Sequence, residues 1–153
     1  MSVNQKQIGG THYKSKYEHW DLVIFCSMNY LEGCSTKYVT RWRRAKGIQD
    51  LQKAQHYLEK LIDAHEIYDI SDNRPRPERA AEEIDKFAKA NGLTPDERNF
   101  IYQLSTFKDM EDLLMALAIL RLIITDAETH EFTRSRAEPN YPGTPEDGGH
   151  YDP

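Results

Sequence analysis

Residues 37–58 gather the side chains that recognise phosphate. Lys37, Arg41 and Arg44 recur at i, i+4 and i+7, Lys46 follows at a turn, and Lys53 and Tyr57 stand four apart. On a helix such spacings bring groups to one face. Lysine offers phosphate a point charge and arginine a planar fork, while Tyr38 and Trp42 add ring faces that stack a base. This set suits a nucleotide, a small-molecule partner, better than a long duplex. Phosphoryl transfer there would need cations against the developing charge and a magnesium ion held by a carboxylate, for which Asp50 is the candidate. Asp50 also stands in the first turn of an expected helix, where a carboxylate favours the dipole, and capping is the preferred reading.

Upstream, Ile8-Gly9-Gly10-Thr11-His12-Tyr13-Lys14 joins a glycine pair to the donors of Thr11, His12, Tyr13 and Lys14. It is not a phosphate loop of the GxxxxGK[ST] type, because Tyr13 stands where a glycine must precede the lysine and no strand leads into it. Residues 1–19 are read instead as an N-terminal arm that folds over the site.

The elements that must position these groups are all helices. One is expected over about 20–28, and 29–33 is read as a break. A second follows over about 34–44 and a third from the turn at Lys46-Gly47 to about 68, with Leu51, Ala54, Leu58, Leu61 and Ile62 as its apolar stripe. The proline-rich stretch 71–77 is a linker. Three more helices follow over about 78–91, 94–105 and 109–130; Thr94-Pro95-Asp96-Glu97 marks the start of the second of these. The acidic Pro/Gly-rich segment 133–153 is expected to be a disordered tail. The fold class is therefore all-α, a bundle of about six helices, with units at 20–70 and 78–132.

Shifting the chain by 62 residues against itself adds a further level. Phe25, Asn29, Leu31, Lys46, Asp50, Leu51, Ala54, Leu58 and Ile62 then meet identical residues, which points to two pseudo-repeats of a three-helix unit. Lys37, Arg41, Arg44, Lys53 and Tyr57 meet Asn99, Gln103, Thr106, Met115 and Ile119 instead. Residues needed for the fold belong in both halves, whereas residues kept for a ligand need stand in only one. The first half is read as the site and the second as scaffold. Its more apolar last helix is assigned to the bundle or to the interface of a homo-oligomer.

Composition bounds the rest. With 153 residues, 39% of them hydrophobic, the chain is long enough for one real core. The net charge of −5 argues against a nucleic-acid coat, yet residues 31–60 carry seven basic side chains against three acidic ones. No apolar run approaches a membrane span and the first residues do not read as a signal peptide, so the cytoplasm is expected. Cys26 and Cys34 lack metal-ligand spacing and are expected to be reduced.

Gly10-Thr11-His12-Tyr13-Lys14, Leu31-Glu32-Gly33, Lys37-Tyr38-Val39-Thr40-Arg41-Trp42 and the run from Lys46 to Leu58 resemble, in that order, a small phage-encoded domain family. Its pattern is HYK, then GN-x-x-KY-x-x-R, then KGG-x-x-DL-x-KA-x-x-YL, and the family includes the P-loop-less nucleotide kinase of T-odd coliphages. The likeness covers about residues 9–62. It departs at Cys34, where the family has Asn, and at Ile48, where it has a second Gly. The resemblance implies a deoxynucleoside monophosphate kinase using ATP and Mg2+. His12, Lys14, Lys37 and Arg41 would act on the phosphates, and Gly10, Thr11, Tyr13, Tyr38, Arg44, Lys46, Lys53 and Tyr57 would bind the nucleotide. Two other readings are a phage protein that binds or sequesters nucleotides without turnover and an adaptor for a host protein or single strand. A helical-bundle pyrophosphohydrolase is disfavoured, since Glu82-Glu83-Ile84-Asp85 is the only local carboxylate cluster.

Overall fold

Asn29 sets where the site-bearing helix begins. In the computed structural model its side chain accepts the Glu32 N–H at 2.8 Å while the Glu32 carboxylate accepts the Asn29 N–H at 2.8 Å, a reciprocal capping box. The stretch 29–33, expected to break the chain, therefore opens a helix, and Gly33 lies inside it. The structure describes residues 3–5, 8, 16–68 and 77–137, except for the side chains of residues 4 and 132–137. Among the described residues are six α-helices and no strand: α1 (His19–Phe25), α2 (Tyr30–Arg41), α3 (Ile48–Tyr68), α4 (Ala80–Asn91), α5 (Pro95–Ser105) and α6 (Met110–Ala137). The chain is thus an all-α bundle. Most of the arm, residues 71–76 of the linker and the tail beyond 137 lie outside the described residues.

Local chemistry explains most boundaries. Ser27 takes a left-handed φ of 52° and ends α1 three residues early. Trp42–Arg44 tightens into a 3-10 turn, so α2 stops at Arg41. Gly92, at φ 63°, closes α4 with the Leu93 N–H bonded back to the Ala88 carbonyl at 2.9 Å. Thr94 caps α5 with Pro95 in its first turn, as expected, and Glu97 completes a second capping box. At its far end α6 continues to Ala137, so the first five residues of the span assigned to the tail are helical.

The repeat is visible in three dimensions. α3 begins at Ile48 and α6 at Met110, 62 residues apart. Leu22 and Ile84, Val39 and Ile101, Leu51 and Leu113, Ala54 and Ala116, and Leu58 and Leu120 are buried in matching pairs. Each large apolar side chain so enclosed contributes about 1.5–3 kcal/mol. Within a unit α2 packs on α3 and α5 on α6; between units each helix meets its counterpart, α1 with α4, α2 with α5 and α3 with α6. Like against like is the pairing that an isologous interface produces. Cys26 and Cys34 are buried and form no disulfide. Among the described residues no helix is long and apolar enough to cross a membrane.

Candidate functional site

The early start of α2 gives it room for three turns ahead of Arg41, and Lys37, Tyr38 and Arg41 project toward α3. Three cations surround one ring there. Lys37 Nζ lies 4.6 Å, Arg41 Cζ 4.8 Å and Lys53 Nζ 5.5 Å from the centroid of Tyr38. Tyr57 stacks on the same ring at 5.8 Å and 16°, and Tyr30 meets Tyr57 edge-on at 6.2 Å. Among the described residues neither Lys37 nor Lys53 has a carboxylate within ion-pair distance. Among the described residues the positive charge of this face is thus left without a balancing carboxylate at Lys37 and Lys53.

Arg41 is held differently. Its Nε lies 3.3 Å from Asp50 Oδ2 and its Nη2 3.4 Å from Oδ1, while the backbone N–H of Lys46 donates to Oδ2 at 3.2 Å. The second unit repeats this arrangement with a neutral partner: Gln103 Nε2 donates to Asp112 Oδ1 at 3.0 Å and the Lys108 N–H to Oδ2 at 2.8 Å. The carboxylate that pins the turn before the third helix is thus common to both units. The guanidinium belongs to one.

Two expected members stand apart from the cluster. Because the chain tightens at Trp42, Arg44 leaves the stripe and donates to Asn91 Oδ1 at 3.2 Å. Lys46 reaches Asp50 through its backbone, with an exposed side chain. Gly10, Thr11, His12, Tyr13 and Lys14 lie outside the described residues. Asp50 is fully buried with both oxygens engaged, and among the described residues no three His, Cys, Asp or Glu side chains are grouped to hold a metal ion. These side chains do not fit a protein-held magnesium. The carboxylates of Glu82 and Glu83 are paired with Arg79, which precedes α4, and with Lys86 on it, which leaves no paired-carboxylate centre there.

Several ordered polar residues escaped the sequence reading, at the site and away from it. Tyr30 is exposed, and its phenol is pushed up to about 12 by hydrogen bonding to Cys34 and then to Tyr57. With the helix taken to start at Cys34, Tyr30 fell outside it; the Asn29/Glu32 capping pair was the signal that places it two turns before Tyr38. Tyr17 packs edge-on against Phe87 at 5.3 Å and donates to Glu83 Oε2 at 3.0 Å; burial and then that carboxylate raise its pKa. His19 Nε2 lies 2.8 Å from Thr36 Oγ1, whose own hydroxyl donates to the Glu32 carbonyl at 2.9 Å, so the imidazole is the donor.

Burial, and secondarily the charge of Lys37, lower the His19 pKa to about 4. Between that value and the ordinary 6.5 the unfolded chain binds a proton that the folded one refuses. Stability is therefore expected to fall as pH drops through this window, by up to about 3 kcal/mol. Urea unfolding at pH 7 and pH 4.5 reads the loss, and His19→Gln, which keeps a donor toward Thr36, should remove most of the slope. An unchanged slope in that variant would assign the pH dependence to other groups.

Compared with protein-family models, with curated proteins and with solved structures, the chain matches none.

Proposed function

We propose that this chain binds a nucleoside phosphate on the α2–α3 face and serves phage nucleotide metabolism, most concretely as a deoxynucleoside monophosphate kinase. The observation that supports the binding is the convergence of Lys37, Arg41 and Lys53 on the Tyr38 ring. A phosphate among these cations gains charge-assisted hydrogen bonds in a setting partly shielded from water. Asp50 fixes the plane of the Arg41 guanidinium, while Lys37 and Lys53 adapt to the phosphate position. The Tyr57 and Tyr30 rings extend the face toward a base. Transfer from ATP draws on the ordered motifs that resemble the kinase family.

Incubation with ATP, magnesium and each deoxynucleoside monophosphate, with the diphosphate product measured, tests the activity; a folded protein that turns over none of them overturns the kinase. A binding-only reading is favoured by the state of Asp50, whose oxygens are already engaged. It predicts a raised melting temperature with nucleotide and no turnover. Absence of any shift across a nucleotide panel would overturn both readings.

A further inference from the structure

Leu114, Met115 and Leu122 on α6 are 50%, 51% and 65% exposed, and Ala118 lies exposed between them. Together they form an apolar stripe on the side of α6 away from its core residues Leu113, Ala116 and Leu120. The fold does not require it. At the equivalent positions α3 carries Gln52, Lys53, His56 and Lys60, on a helix with the same buried partners one repeat away. Apolar side chains kept at the surface where polar ones serve the fold mark a contact surface.

We propose that this stripe is the interface of a homodimer in which two copies of α6 pack antiparallel about Ala118. The spacing is self-complementary. Leu114 and Leu122 flank Ala118 four residues to either side, so turning one helix end for end sets Leu114 against Leu122 of the second copy and Ala118 against Ala118. The small central residue lets the axes approach to about 8 Å. Charge selects the direction. In this register Arg121 lies level with Met115 of the second copy, one turn from its Glu111, and both charged residues are exposed. Parallel packing would set Arg121 on Arg121 and Glu111 on Glu111. Few large side chains take part, so the interface falls below about 1,200 Å2 and the association is weak and concentration-dependent.

Sedimentation of the full chain across a hundredfold range of concentration tests this, independently of any ligand. Wild type should pass from monomer to dimer. The triple variant Leu114→Gln, Met115→Lys, Leu122→Lys installs the residues of α3; it should stay monomeric with unchanged melting at low concentration. Arg121→Glu should weaken the dimer, and adding Glu111→Arg should restore it. A wild type that is monomeric throughout, or a triple variant that dimerises like wild type, overturns the interface. Failure of the charge exchange to restore association overturns the antiparallel register.

Discussion

Arg41→Gln is expected to cost about 2–3 kcal/mol of nucleotide binding, roughly a 30- to 150-fold rise in dissociation constant. It should cost only about 1–2 kcal/mol of folding stability. The smaller second figure follows from the other half of the molecule, where a glutamine at the matching position already bonds the matching aspartate. What remains of the cost reflects the deeper burial of Asp50, fully enclosed where Asp112 is partly exposed. In the first unit the exchange removes a guanidinium from above Tyr38 and leaves Lys37 and Lys53 in place. Calorimetric titration with a deoxynucleoside monophosphate reads the first quantity and urea unfolding the second. A variant that binds as tightly as wild type would make Arg41 a structural counter-charge and nothing more. Collapse of the fold would show that the two aspartates are not equivalent.

Glu97→Ala is the substitution expected to damage the fold most among the polar positions, by about 3 kcal/mol. Glu97 is fully buried at the first turn of α5. It accepts the indole N–H of Trp42 at 2.8 Å, the Thr94 N–H at 2.9 Å, and the guanidinium of Arg43, whose Nη1 approaches Oε1 to 2.6 Å. One carboxylate thus ties the 3-10 turn of the first unit to the helix start of the second. Truncation takes the acceptor from the part-buried Trp42 N–H and Thr94 N–H and leaves a void, whereas Arg43, about half exposed, regains water. Glu97→Gln keeps an acceptor for one of these donors and should cost about half as much. Equilibrium urea unfolding of both variants measures the difference. A loss under about 1 kcal/mol for the alanine would mean that water satisfies the stranded groups.

The same contrast shows what the sequence disclosed. The helices from α3 onward were legible because their signals are local: Thr94 with Pro95, Gly92 after α4, and a stripe of Leu51, Ala54 and Leu58 that returns as Leu113, Ala116 and Leu120. Asn29 was misread because a residue that caps a helix also favours turns, and only its reciprocal bond with Glu32 decides between the two. Glu97 looks like an ordinary solvated first-turn acid. Its burial depends on Trp42 and Arg43, more than fifty residues away, which no local pattern encodes. At the candidate site, Lys37, Tyr38, Arg41, Lys53 and Tyr57 come together as spacing required. Arg44 does not, because helical periodicity cannot foresee the tightening at Trp42.

The pairing of each helix with its counterpart gives the chain the logic of two subunits on one tether. In a true symmetric pair a substitution appears twice, so a surface that gains charge gains it on both sides. Tethering lifts that constraint. Lys53 and Met115 occupy one structural position, as do Tyr57 and Ile119, yet one member of each pair belongs to a cationic aromatic face and the other to a mainly apolar helix. A single architectural slot has thereby been specialised in two directions while the interior that supports both has stayed nearly the same.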